Sequence, residues 1–137
     1  MAIDRAQFKP DTENNALVGS IQLDGRIAQI RLKSPTGELQ TAWDNLDCVV
    51  TCLREQMPLI ETAVREMLSG LGRLDEDTPA GRRKIERLLG QLASSNVSCL
   101  IYEHSASVFF DTPRLTGHCI EVQLGSAGKI VCATIAG

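Results

Sequence analysis

Alternating apolar and polar positions near the N-terminus predict a β-hairpin. We expect strands over 16–23 and 26–33, flanking the dipeptide Asp24-Gly25. Asp-Gly favours two-residue hairpin turns because both turn residues need positive φ. The second strand has one mainly apolar face, while its other face is more polar and suits contact with water. The mainly apolar face carries Arg26, Ala28, Ile30 and Leu32.

The middle of the chain has the three-and-four spacing of amphipathic helices. Its apolar stripe begins at Trp43 and continues to Leu71. Pro58 lies inside this stripe and lacks a backbone N–H, so we expect the helix to kink or divide there. Thr78-Pro79 predicts the start of a further helix, with threonine as the N-cap and proline at the first helical position.

The final third returns to the two-residue period of β-strands. We expect strands near 97–103, 107–111, 118–124 and 129–135. Strands on both sides of a helical block predict an α+β fold: one antiparallel sheet of five or six strands, with two or three helices inserted after the N-terminal hairpin and packed on one face. Residues 1–15 are polar and lack a period, so we expect a flexible lead-in before a single α+β domain over 16–137.

Composition and charge narrow the class of protein. The 137 residues are 43% hydrophobic and 23% charged, as in an ordinary globular domain. The net charge of −3 at pH 7 argues against nucleic acid as the main partner. No apolar run approaches the roughly 20 residues that span a bilayer. The first residues also lack the apolar part of a secretory signal, so we expect a cytoplasmic protein without a membrane partner.

The five cysteines are not arranged in a Cys-x-x-Cys motif. Cys48 and Cys52 share one helix face and would be suitable ligands for a soft metal, with His104 and His118 completing a tetrahedral site. They would equally serve as small buried apolar groups, on a narrow strip that meets either a neighbouring helix or a partner chain. Because metal-binding cysteines are usually paired more tightly, we expect neither a metal nor a cofactor.

A family pattern occupies the C-terminal third. Asp111 precedes Gly-His-Cys-Ile-Glu-Val over 117–122, and Ala-Thr-Ile-Ala-Gly follows over 133–137. This arrangement resembles a bacterial family catalogued as domain of unknown function 2262, whose members commonly end with a Gly-His-x-Ile/Val-x-Val strand and an Ala-x-Ile-Ala-Gly-like close. The resemblance implies a small α+β domain without an established reaction. Some small bacterial families of this kind serve as immunity proteins beside secreted toxins, so the resemblance implies such a role by association.

His118 and its neighbours have two interpretations. A small hydrolase or transferase would use His118 with Asp111 or Glu121. On a strand, however, His118 and Glu121 point to opposite faces, which disfavours a shared catalytic pair. Alternatively, Gly117 and His118 order a turn, with the imidazole hydrogen-bonded to the backbone. No Gly-x-Ser-x-Gly elbow presents a nucleophile, so we assign no catalytic residue.

Two acidic sets are candidates for a surface that contacts a basic partner. Asp44 and Asp47 lie near the start of the long helix, and Asp75, Glu76 and Asp77 follow it. The alternative is ordinary solubilising charge. Attraction to a basic toxin or effector domain would mainly raise the association rate and specificity. We therefore expect a non-catalytic protein-binding domain, an immunity-type protein that occludes a cognate toxin or effector, with the small enzyme as the alternative.

Overall fold

One mixed sheet of seven strands spans the residues that the computed structural model describes, which are 3–70, 77–112 and 118–136. The strands are neighbours in chain order. They are β1 (Lys9–Asp11), β2 (Ala16–Leu23), β3 (Arg26–Leu32), β4 (Val97–Ile101), β5 (Ala106–Phe110), β6 (Cys119–Leu124) and β7 (Ile130–Ala136). Between β3 and β4 come the helices α1 (Leu39–Glu55), α2 (Met57–Gly70) and α3 (Pro79–Leu92).

The α+β class and the insertion of helices after the N-terminal hairpin are confirmed, but the predicted sheet was wrong in two respects. Seven strands replace the expected five or six in the described residues, and β3 pairs with β4 in parallel, from Ala28 opposite Val97 to Leu32 opposite Ile101. The helical crossover returns the chain to the end of the sheet at which β3 began. A parallel pair requires such a long connection, whereas the other neighbouring strands of the described sheet pair in antiparallel fashion.

The additional strand comes from the segment 1–15, where we expected only a lead-in. A 3₁₀ turn over Arg5–Gln7 is followed by β1, which pairs with β2. Phe8 meets the ring of Trp43 edge to face at 5.0 Å between centroids, and the Arg5 guanidinium lies 4.9 Å from the same ring. Gly19 leaves room for Phe8, because a Cβ there would lie 2.8 Å from the phenyl ring. Contacts with distant residues therefore hold a segment whose own sequence has no period.

Two predicted helix signals are confirmed, the division beside Pro58 and the N-cap at Thr78. The helical block divides at Gln56, directly before the turn that contains Pro58. Thr78 is the N-cap of α3, and its hydroxyl accepts a hydrogen bond from the Gly81 amide at 3.0 Å. None of the helices in the described residues is long and apolar enough to cross a membrane.

The core lies between the helices and one face of the sheet. Alternate strand residues point toward the helices, so that Ile30, Cys99, Val108 and Val122 form one buried row across four strands. Burial of such apolar rows is the dominant favourable contribution to folding. The helices supply the facing residues, which include Leu46, Ile60, Val64, Ile85 and Leu92.

Glu103 is a buried acid that organises the connection between β3 and α1. Its carboxylate accepts hydrogen bonds from the amides of Thr36 at 3.3 Å and Glu38 at 3.2 Å. The hydroxyls of Ser34 and Thr36 also donate to it. Since Glu38 is the N-cap residue of α1, Glu103 supplies from another part of the chain the acceptor for the N-cap N–H that the third helical residue provides in a capping box.

The Glu103 contacts predict a pH-dependent stability. The Thr36 hydroxyl is the main cause that lowers the pKa of Glu103 below its ordinary value of 4.5, against an opposing effect of burial. Because the pKa is lower in the folded chain, the stabilisation is complete above the unfolded-state pKa and is lost as pH falls through the folded-state pKa. Urea midpoints should therefore differ most between wild type and Glu103→Gln at neutral pH. The two curves should converge in acid, and a constant difference down to pH about 3 would contradict this role.

Candidate functional site

The C-terminal candidates gather around the β5–β6 connection. Asp111 directly follows β5, and exposed His118 directly precedes β6. Glu121 lies within β6 opposite Phe109, on the face away from the helices. Gly117 lies outside the described residues. The fold thus brings Asp111 and Glu121 to the same end of two paired strands, but His118 is outside the strand register.

Cys119 lies between these two carboxylates. Burial raises the pKa of its thiol, and the negative charges of Glu121 and Asp111 raise it further. A nucleophilic cysteine needs the opposite environment, one that stabilises the thiolate. This environment therefore disfavours the thiolate of Cys119 and does not suit a nucleophile.

The acidic candidates are dispersed rather than assembled by a contact. Asp44 and Asp47 are exposed on α1, and Asp77 is exposed just before α3. Asp75 and Glu76 lie outside the described residues. Asp44 has a local role, since it accepts a hydrogen bond from the Gln40 side chain at 2.8 Å, which in turn accepts one from Arg5 at 3.1 Å. This carboxylate therefore contributes to holding the N-terminal segment on α1.

The strip that carries Cys48 and Cys52 faces the turn between β6 and β7. Cys52 is buried, and burial raises the pKa of its thiol. Beside this close approach of the turn to α1 lies a hollow of about 220 Å³, whose lining includes Cys52, Ala127 and exposed Asp47. Within the described ranges, no three His, Cys, Asp or Glu side chains lie close enough together to hold a metal ion.

The face of the sheet opposite the helices is a second candidate site, which we call the open face. It is formed by the outward-pointing residues of β2 to β6. They include Val18, Gln29, Arg31, Ser98, Leu100, Phe109, Glu121 and Gln123. All of these named residues are exposed or half-buried, and no described helix or strand covers them.

The centre of the open face is apolar. Val18, Leu100 and Phe109 line a shallow concavity of about 420 Å³, together with the aliphatic part of Arg31 and the side of Gln29. On its far side, the Gln123 amide donates to the Glu121 carboxylate at 3.3 Å. A concave apolar centre with a rim of polar and charged groups has the composition of a protein-binding surface.

The alternation in β3 predicts a polar face that contacts water, and it does not by itself indicate a binding site there. The sequence does contain part of the evidence, because the apolar residues Leu100 and Phe109 alternate with the buried positions of their strands and therefore lie on the outer face. What the sequence does not show is the order of strands in the sheet, which brings Val18 of the N-terminal hairpin beside Leu100 and Phe109 of the hairpin β4–β5.

Comparison of the chain with protein-family models, with curated proteins and with solved structures gave no match.

Proposed function

We propose that this chain is a non-catalytic protein-binding domain and that its open face is the binding surface. The observation that carries the proposal is the apolar concavity of Val18, Leu100 and Phe109 within a polar rim. Apolar side chains at the centre of such a patch supply most of the binding energy, while the rim excludes water and sets specificity.

The biological form of this proposal is an immunity-type role in the cytoplasm, in which the domain occludes a toxin or effector. The resemblance of the segments 117–122 and 133–137 to the bacterial family supports it by association. The exposed acids Asp44, Asp47 and Asp77 would attract a basic partner and raise the association rate. The open face would then make the close contacts.

The test measures, by biolayer interferometry, the association of this chain with the product of the neighbouring gene. Phe109→Asp places a charge at the centre of the open face and should abolish association. Leu59→Asp is the matched control, because it makes the same type of change at an apolar residue of α2 that is 57% exposed. Circular dichroism confirms that both variants fold. Unchanged association of Phe109→Asp would eliminate the open face as the binding surface.

The enzyme alternative is tested in the same preparation. If His118 acts with Asp111 or Glu121, His118→Ala would abolish a partner-independent reaction and leave association intact. The binding proposal expects His118→Ala to retain association and expects no such reaction to be lost.

A further inference from the structure

We propose that β7 accepts an extended segment of a further protein as an additional strand, with side chains of that segment entering the hollow between β7 and α2. This surface is distinct from the open face, and the inference does not depend on the proposed function. It is carried by the contrast between the two edges of the sheet and by the apolar side chains beside one of them.

The edge formed by β1 is protected by its own sequence. β1 has three residues, Lys9–Asp11, with a proline between two charged side chains. Short length, proline and charge are the usual means by which a natural sheet prevents strand addition at an edge. A further strand is therefore disfavoured at this side of the sheet.

The opposite edge, β7, lacks these features. Its seven residues, Ile130–Ala136, include no proline and no charged side chain, and four of them are β-branched. Among the described strands, β7 pairs with β6 alone. A bulge interrupts that pairing near Val131, and the register is regular from Cys132 to Ala136. Every second residue of this regular part directs its backbone N–H and C=O away from β6, as an added strand requires.

A hollow of about 570 Å³ adjoins the start of this edge. Its lining includes Leu59 and Ala63 of α2, and Ile130 and Val131 of β7. Leu59 is 57% exposed and Val131 is 64% exposed, and they are two of the four large apolar side chains that are exposed in the described residues. Because both border one hollow, a partner that fills it would remove both from water, which favours binding.

The helix α2 turns one side toward this hollow and another toward α3. Leu59, Ala63 and Glu66 follow the three-and-four spacing and share one side of α2, which lines the hollow. Arg65 forms an ion pair with Glu86 of α3. The side of α2 that carries Leu59 and the start of β7 are therefore the two walls of the hollow.

The edge and the hollow together specify the chemistry of the occupant. Backbone donors and acceptors at alternate residues are matched by another extended backbone, which adds as a strand. Side chains of that strand alternate between the two faces of the sheet, so every second one lies on the helix side and should be apolar to pack beside Leu59. Exposed Lys129 and Glu66 give the hollow one charge of each sign, so the segment needs no net charge. This occupant differs from the basic partner proposed for the open face.

The test uses a peptide probe, selected on the wild-type protein from a random twelve-residue phage library and labelled for fluorescence anisotropy. Leu59→Asp should weaken binding of the enriched peptide about tenfold or more, because it places a charge in the apolar part of the hollow. Phe109→Asp is the matched control, since it makes the same type of change on the open face and should leave peptide binding unchanged. Circular dichroism confirms that both variants fold.

A second measurement changes the probe and leaves the protein intact. N-methylation removes backbone donors, and a strand added at an edge uses the donors of alternate residues. Of two peptides methylated at alternate positions, odd or even, one should lose binding about tenfold or more and the other should retain it. The retained peptide should slow amide hydrogen exchange at alternate residues of β7. Equal effects of the two methylation patterns would show side-chain contact without strand pairing and would overturn the inference.

The reciprocal variants separate this inference from the proposed function. A selection that enriches no peptide, or a peptide whose binding Leu59→Asp leaves unchanged, would overturn strand addition at β7 without affecting the open face. Conversely, unchanged association of Phe109→Asp with the neighbouring gene product would overturn the proposed function and leave strand addition standing.

Discussion

Arg26→Ala is expected to lower the free energy of unfolding by about 3 kcal/mol. Arg26 is only 4% exposed, although it carries a charge. Its guanidinium donates to the carbonyl of Leu92 at 2.6 Å and to that of Leu53 at 3.5 Å. Leu92 is the last residue of α3, and Leu53 lies in the last turn of α1. Burial lowers the pKa of Arg26. The carbonyls near two helix C-termini, which carry partial negative charge, are favourable partners for its cation.

Loss of the guanidinium leaves these carbonyls without their charged donor and removes its contact with the Phe110 ring, 5.8 Å away. Arg31→Ala is the matched control, since Arg31 lies on the same strand but points to the open face and is exposed. It should change stability by less than about 0.5 kcal/mol. Arg26→Lys keeps the charge without the forked donors and should be intermediate. Urea unfolding gives these differences, and an Arg26→Ala variant as stable as Arg31→Ala would refute the role.

Gly128→Ala is expected to lower the free energy of unfolding by about 3 kcal/mol, through two separable effects. Gly128 has φ +73°, which a Cβ disfavours. In addition, a Cβ would lie 2.8 Å from the carbonyl oxygen of Cys48, a backbone atom of α1. The turn between β6 and β7 would have to move away from the helix, which would open the hollow beside Cys52.

Gly37→Ala separates the two effects. Gly37 has φ +85°, yet nothing lies within 4 Å of the Cβ position. This variant should therefore show the conformational cost alone, about 1 kcal/mol. The difference between the two variants measures the steric contact between the turn and α1. Equal losses in chemical denaturation would show that this contact costs nothing.

Features encoded within a few residues could be predicted from the sequence. Asp24-Gly25 forms the hairpin turn with both φ values positive, the helical block divides beside Pro58, and Thr78 caps α3. The four strands after the helices start and end close to the predicted residues. Each of these signals acts through hydrogen bonds or steric limits between near neighbours, so the rest of the fold is not needed to read them.

The candidate sites also differ in whether the sequence could predict them. Asp111 and Glu121 could be associated from the sequence, because one short connection joins their strands. The open face could not, since its centre combines Val18 with Leu100 and Phe109, and its charges combine Arg31 with Glu121. Alternation shows that a strand has two faces, but not which strands become neighbours.

The sequence by itself determined the hairpin of β2 and β3, the helical block and the four strands that follow it. The tertiary structure alone decided the direction of β4 beside β3 and the pairing of β1 with β2. It also placed Arg26 against carbonyls near the C-termini of two helices, and the Glu103 carboxylate at the N-terminus of α1. The physical reason is that these contacts join residues far apart in the chain, and their free energy depends on burial and geometry that exist only once the layers have packed.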